Sequence, residues 1–293
     1  MAKATSTVPR EAGGKKTAKE LFAGACGGAV AKTIIAPLDR TKIIFQTSEG
    51  KAFSWSAVQQ ELQRIVREEG VPRLWKGHSA TLSRVAPYAA IQFASFDLIK
   101  RKFATHKTWY ELLISGAAAG AISVIFTYPL DLMRARMAVG HHDGNVLTNL
   151  KSVYRERGVQ ALYRGLVPTL LGILPYAGIS FSSFDLFKRN LRALHNGQEI
   201  STLEKLACGA LAGFVAQSVT YPLDIVRRRM QIENQCWNEP RYRNVIQSFR
   251  VILHEEGTRG LTKAISMNAV KGPIAVGVSF TTHDFIMRMF EKS

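Results

Sequence analysis

The stretch PLDRTK at residues 37–42 returns as PLDLMR at 129–134 and as PLDIVR at 222–227. Each copy sets a proline, an aspartate two places on, and a basic residue three places after that. The copies stand 92 and 93 residues apart, and self-similarity at a fixed period decides an architecture before any single residue is interpreted. A second mark keeps the same register: the GxxxG pairs Gly24 with Gly28, Gly116 with Gly120 and Gly209 with Gly213 lie 13 residues ahead of each proline. The chain therefore divides into three modules, 19–103, 109–192 and 201–291, behind a polar tail, 1–18, read as flexible and without the apolar core of a secretory signal.

Hydrophobic residues make up 46% of the 293, yet mean hydropathy is −0.01, and no window holds twenty uninterrupted apolar residues. Two readings follow: a basic soluble protein, or a bundle of membrane helices that each turn a polar face toward a shared watery interior. The net charge of +17 asks for an anionic partner: nucleic acid, an anionic membrane surface or an anionic substrate. The basic residues recur at module-equivalent places instead of forming one stripe or docking helix, which argues against nucleic acid. Cys26, Cys208 and Cys236 have no ligand spacing and are odd in number, so the first two read as small buried side chains and the third as a loop thiol. The seven histidines show no metal spacing, and His141, His142, Asp143 and Gly144 read as a loop. With no phosphate-cradling glycine loop or nucleophile motif, the sequence predicts neither an enzyme nor a bound metal or cofactor.

From Lys19 to Gln46, Leu21, Phe22, Ala25, Ala29, Val30, Ile34 and Ile35 mark an apolar helix face, while Gly24, Gly28 and Lys32 fall on another. The small residues predict close helix contact in lipid, and Pro37 predicts a kink. Ser54 to Glu69 is too polar to span and reads as a short amphipathic helix along the membrane surface, with equivalents at 147–157 and 245–256. A glycine turn then leads to Trp75, Lys76, Gly77 in the first module and Tyr163, Arg164, Gly165 in the second; the third has Thr262, Lys263, Ala264. These corners read either as interfacial anchors that help a helix N-terminus hold a lipid phosphate, or as simple snorkelling bases. Second spans follow at 78–100, 166–188 and 265–288. The fold predicted is an all-α membrane protein: six transmembrane helices in three pseudo-threefold repeats around a central cavity, with short surface helices.

In a single copy, Asp39 and Lys42 would be an ordinary contact one helical turn apart. Three copies, Asp39 and Lys42, Asp131 and Arg134, Asp224 and Arg227, set each acid beside the next module's base and predict a closed ring of interhelical ion pairs. Gln46 and Gln231, nine residues after their prolines, add braces; the second module has Ala138 there. At the far ends of the second spans Asp97 with Lys100, Asp185 with Lys188, and Asp284 predict a weaker ring at the opposite mouth. Counting along the second spans brings Arg84, Gly172 and Lys271 to one depth, one per module. Two cations there await an anion or pair with gate acids, and Gly172 with Ile173 opens a slot suited to a planar ring.

On these motifs the chain resembles the mitochondrial carrier family over essentially its whole length after the tail. The resemblance implies a multi-pass, monomeric solute exchanger of the mitochondrial inner membrane, working by alternating access, with both termini toward the intermembrane space and cardiolipin at the aromatic-base-glycine corners. It makes the proline-aspartate ring the matrix gate and the other the cytoplasmic gate. It also implies substrate contacts at Arg84, Gly172, Ile173 and Lys271, where bases take phosphates and the slot takes adenine, joined by Lys32, Tyr176 and Asn268. The strings AKTIIAPLDRTKIIFQ from Ala31, YPLDLMRARMAV from Tyr128, PYAGISF from Pro175, YPLDIVRRRMQ from Tyr221 and SMNAVKGPIAVGVSFTT from Ser266 are similar to the members that carry coenzyme A. Met230, Gln231 and Ile232 depart from the methionine run of the ADP/ATP exchangers, and Thr262, Ala264 and Met287 depart from the family's third-module motifs. The expectation is import of coenzyme A in exchange for adenine nucleotides or adenosine 3′,5′-bisphosphate. The alternative is an adenine-nucleotide carrier that does not take coenzyme A, and a proton or anion leak is a different class again.

Overall fold

Each module opens with a long helix that runs through its proline. These are α1 (Arg10–Thr47) with Pro37, α4 (Trp109–Val139) with Pro129 and α7 (Thr202–Cys236) with Pro222. The computed structural model describes residues 10–103, 108–140, 144–195, 198, 200–236 and 241–292, which include no strand. The second long helices are α3 (His78–Phe103), α6 (Leu166–Leu194) and α9 (Ser266–Lys292). Between them lie α2 (Trp55–Glu68), α5 (Val146–Leu162) and α8 (Val245–Leu261). The glycine turns stand where the sequence set them: Gly70, Gly158 and Gly257 have φ of 90°, 72° and 65°, a region costly for any residue with a Cβ.

Two boundaries differ from the sequence reading. Residues 10–18 continue α1 instead of belonging to the tail, and Cys236 closes α7 rather than sitting in a loop. Residues 1–9 and the His141–Asp143 segment lie outside the described residues. Cys208 is buried and Cys26 half-buried. Among the described residues three helices are long and apolar enough by composition to cross a membrane: 110–139, 166–194 and 202–233, with mean hydropathies of 1.6, 1.4 and 1.3.

The chain forms two units, residues 1–36 with 270–293 and residues 37–269. In the first, α1 meets α9 at Gly27, where a Cβ would stand 2.6 Å from the Ser279 carbonyl oxygen, and Phe22 meets Phe290 edge-on at 6.1 Å. Gly24 and Gly28 face open space, so the close approach uses the glycine between the pair and not the pair itself.

In the second unit α3 packs along α4 and α6 along α7, and α4 also touches α6 and α7. The short helices bury part of their apolar faces against the long ones. Val58 of α2 is buried with Phe45, Ala264 and Met267. Val153, Ala161 and Leu162 of α5 are buried with Leu132, Met133 and Ala80. Ile252 and Leu261 of α8 are buried with Tyr221, Ile225, Val226 and Met230. Part of each apolar stripe thus covers the post-proline half of a long helix, and burying that area is worth about 25 cal/mol per Å²; Val66, Leu147, Val159, Ile246 and Leu253 stay exposed on the same short helices.

Buried arginines join the modules in cyclic order. Arg40 Nε donates to the Ala138 carbonyl at 2.9 Å, Arg136 Nε to Gln231 at 3.0 Å and Arg229 Nε to Gln46 at 3.3 Å. All three acceptors stand nine residues after a proline. Two of these arginines also carry a carboxylate from the residue before their own module's turn glycine: Arg40 with Glu69 at 2.9 Å and Arg229 with Glu256 at 2.6 Å.

The corner bases follow the same cycle. Lys76 Nζ donates to the Gly140 carbonyl at 3.0 Å and Lys263 Nζ to the Ser48 carbonyl at 2.6 Å, while Arg164 pairs with Glu233. Those three partners lie eleven residues after the prolines. The bases therefore turn inward: Lys76 and Lys263 close the C-terminal carbonyl ends of the next module's helix, where cations are favoured, and Arg164 meets a carboxylate of the next module. Burial pushes the Lys263 ammonium below the usual lysine range.

The corner glycines make this approach possible. Gly77 has φ 83°, and a Cβ on it would stand 2.9 Å from the Arg134 carbonyl oxygen; at Gly165, φ 82°, a Cβ would stand 2.8 Å from the Tyr128 hydroxyl. The third corner carries Ala264 at φ 63°, fully buried, so the third module holds the same turn with an ordinary residue. Gly77→Ala is expected to destabilise the protein by roughly 1–3 kcal/mol, seen as a lower thermal midpoint in detergent. Gly24→Ala, at an open helical position, should match or raise it; equal midpoints for the two would refute the close-approach account.

Candidate functional site

The post-proline halves of α1, α4 and α7 bring the aspartates and their neighbours' bases together. Arg134 Nη2 lies 2.6 Å from Asp39 Oδ2, and Arg227 Nη2 lies 2.5 Å from Asp131 Oδ2. Acid and base come from successive modules in both, as the repeat demands. At the third position Lys42 Nζ donates instead to Asn268 Oδ1 at 2.8 Å and lies 5.1 Å from the centre of the Tyr221 ring. Among the described residues Asp224 has no ion-pair partner within 4.0 Å. Asn268, expected as a substrate contact, is buried against the ring because an ammonium taken out of water needs an acceptor.

Asp131 is the centre of this cluster. Its side chain is 2% exposed and meets three guanidinium groups: Arg227, Arg84 at 2.6 Å and Arg228 at 3.4 Å. Gln231 Nε2 donates to Asp131 at 2.9 Å and to the Tyr128 hydroxyl at 3.1 Å. Gln46 Nε2 donates to the Tyr221 hydroxyl at 3.1 Å, so both glutamines brace a tyrosine that precedes a proline. The tyrosines in turn donate to the Arg164 and Lys263 carbonyls at 2.9 and 2.6 Å. Module one has Ala36 in the tyrosine's place and module two has Ala138 in the glutamine's, so both halves of that contact are missing together.

Above the ring α3, α4, α6 and α7 enclose a cavity of about 460 Å³. Arg84, Arg227 and Asp224 supply its charge; Gln92, Thr169, Gln217 and Thr220 supply neutral polar groups; and Tyr88 and Tyr176 supply aromatic faces. Gly116, Gly120 and Gly172 keep one side open, and no atom lies within 4 Å of a Cβ built on Gly116 or Gly120. The second GxxxG pair therefore makes room in the cavity instead of packing helices. Arg84 also stacks on Tyr88, 5.1 Å from the ring centre, and the Nε groups of Arg84 and Arg227 are buried with no acceptor among the described residues. Buried donors left open in a basic pocket favour an anion.

Arg84, Gly172, Ile173 and Tyr176, expected as substrate contacts, line this cavity, and so do Asp224 and Arg227, which were expected in the gate ring. Lys32, exposed, and Lys271, half-buried, belong to the other unit. Sequence reasoning missed Tyr88, Gln92, Gln217 and Thr220. A signal was available, since Tyr88 stands one helical turn after Arg84, and Gln217 and Thr220 precede Asp224 by seven and four residues on one face.

The opposite ends differ from the expected ring. Asp97 pairs with Arg101 at 2.7 Å and Asp185 with Arg189 at 2.8 Å, each one turn along its own helix. Lys100 lies over the Phe96 ring at 5.8 Å, and in the other unit Asp284 meets His283 at 3.4 Å. Each acid is held by the arginine one turn along its own helix, a contact that needs no reach between helices to a neighbouring module's lysine. In this conformation the second unit is tied across its helices at the proline-aspartate end, while Asp97 and Asp185 at the other end are held along their own helices.

Removing a partner from a buried charge cluster costs about 3–5 kcal/mol, whereas an unpaired acid at a cavity wall contributes little. Asp131→Asn is therefore expected to lower the thermal midpoint far more than Asp224→Asn, with Asp39→Asn between them. Equal shifts at the three positions would show that the symmetric ring, and not the Asp131 cluster, holds this end together.

A family model described as mitochondrial carrier protein matches residues 13–107, 105–194 and 198–293 in three successive copies. The mitochondrial coenzyme A transporter of Xenopus tropicalis is 45% identical over 289 residues, 95% of this chain and 87% of that protein. The human protein of that name is 43% identical over 292 residues, 96% and 91%. Mitochondrial substrate carrier family protein P of Dictyostelium discoideum is 40% identical over 281 residues, 92% and 94%. Three matches in tandem with the repeat, and relatives aligned nearly end to end, lead to one conclusion: the chain belongs to the mitochondrial carrier family, as an all-α, multi-pass transporter of the mitochondrial inner membrane and not an enzyme.

Proposed function

We propose that this carrier imports coenzyme A in exchange for an adenine nucleotide or adenosine 3′,5′-bisphosphate. The observation that carries the proposal is the cavity: arginines with open buried donors stand beside a glycine slot and two tyrosines, in a chain whose relatives from frog and human are named for coenzyme A. Coenzyme A presents an adenine, a 3′-phosphate and a diphosphate. The Gly172 and Ile173 slot suits the ring, and Arg84 suits a phosphate through its planar fork of donors. Lys32 and Lys271 are proposed as cationic contacts on the strength of the resemblance alone.

Arg84 also gives the exchange its coupling. A phosphate that takes Arg84 removes one of the three cations from Asp131, and so loosens the ring only when substrate is present. The outer acids, already held by Arg101 and Arg189, would have to leave those partners to join a ring of their own. The protein works as a monomer. Cardiolipin at the corners would bind through helix N-terminal amides, since the corner bases are engaged inside the protein.

An adenine-nucleotide carrier remains the rival reading, favoured by the same slot and phosphate contacts. Uptake of labelled coenzyme A into liposomes containing the purified protein separates the two when vesicles are preloaded with ADP, with adenosine 3′,5′-bisphosphate or with nothing. Uptake that requires an internal nucleotide is expected. ADP-for-ADP exchange alone would sink the coenzyme A assignment, and uptake into empty vesicles would mean a leak or uniporter. Arg84→Ala should reduce exchange at least tenfold in a protein that still unfolds cooperatively; full activity would remove the proposed phosphate contact.

A further inference from the structure

The cavity ends in a second compartment that the nucleotide does not need. A groove of about 360 Å³ continues along α6 from Tyr176 and Ala177, which line both spaces, toward Phe184. Its walls are Leu113 of α4, Ser180 and Phe181 of α6 and Ala212 of α7. From Ala177 to Phe184 the helix rises about 10 Å at 1.5 Å per residue. The groove is apolar except for the Ser180 hydroxyl and the Tyr176 phenol at its entrance.

The third GxxxG pair shapes this groove. A Cβ on Gly209 would lie 3.9 Å from Phe184 Cε2, and one on Gly213 would lie 3.8 Å from the Tyr176 hydroxyl oxygen. The two glycines of α7 thus seat two aromatic side chains of α6. Those rings stand at the two ends of the stretch, which stays open between them.

We infer that this groove holds the pantetheine arm of coenzyme A and is what separates it from plain adenine nucleotides. The inference rests on the coenzyme A reading above. The adenine and phosphates require the charged cavity, so the arm must leave it, and the groove adjoins it, with Tyr176 and Ala177 lining both. The chemistry is complementary. The arm carries a geminal dimethyl carbon and a thiol at its end, which suit Leu113, Phe181 and Phe184, and two amides, which can bond with the Ser180 and Tyr176 hydroxyls. Adenosine 3′,5′-bisphosphate and ADP have no arm and leave the groove empty.

The test compares initial exchange rates for labelled coenzyme A and labelled adenosine 3′,5′-bisphosphate in liposomes, with the full-length protein and internal ADP. Leu113→Trp, which narrows the groove, is expected to cut coenzyme A uptake at least tenfold and change bisphosphate exchange less than twofold. Ser180→Ala, too mild to disturb folding, should raise the half-saturating concentration for coenzyme A several-fold and leave that for the bisphosphate unchanged. A wild-type protein that exchanges the bisphosphate but takes no coenzyme A would remove the reading on which the groove depends. Wild-type coenzyme A uptake with both variants slowing the two substrates equally, or neither, would overturn the groove alone.

Discussion

A carboxylate removed from water must be surrounded, and Asp131 shows how far the rest of the structure arranges itself to do so. Its partners come from α3, α7 and the Gln231 side chain, so one acid on α4 is the meeting point of three helices. Breaking such a cluster is much more costly than the assembled pairs are worth against a hydrophobic replacement. That asymmetry makes it a latch and not an adhesive. The other two acids of the repeat carry less: Asp39 has Arg134, and Asp224 looks into the cavity. A sequence with threefold periodicity has thus folded into a ring whose strength sits on one side.

Beneath the latch the modules hold one another through contacts that tolerate sequence drift. Arg40, Arg136 and Arg229 each donate to a backbone carbonyl of the next module, and a carbonyl is present whatever side chain stands there. Ala138 therefore serves as well as Gln46 or Gln231. The donor has drifted too: the second and third modules use the arginine seven residues after the proline, while the first has Ile44 there and reaches from Arg40, one turn earlier. The conserved quantity is a guanidinium at one depth, not a residue at one register.

This explains which parts of the molecule could be read from the sequence. Prolines, turn glycines and the acid-to-next-base pairing follow from local rules applied three times, and a threefold pattern fixes what each element faces. Counting along the repeat names Arg84, Gly172 and Lys271 for the same reason, and the first two line the cavity. What could not be read was competition. Asp97 had both Lys100 and Arg101 within reach, Lys42 had both Asp224 and Asn268, and the short helices had both lipid and the proline halves of their own modules to cover. Spacing names the candidates in such cases; only the packed structure shows which partner has the shorter path.

Arg84 is where the two halves of the molecule's behaviour meet. It lines the cavity, stacks on Tyr88 and reaches Asp131 with one arm while its Nε is left open. A neutral solute entering the cavity gives it no reason to move. An anion would, and in the proposed exchange the guanidinium fork would let Arg84 begin to bind a phosphate before letting go of the carboxylate, so the cluster need not pass through a bare buried charge. Arg227 and Arg228, both on Asp131 in this structure, would keep the acid compensated while that one helix contact is released. On the proposed reading such a site would discriminate by charge first and by shape second, with the shape left to the glycine slot and the groove beyond Tyr176.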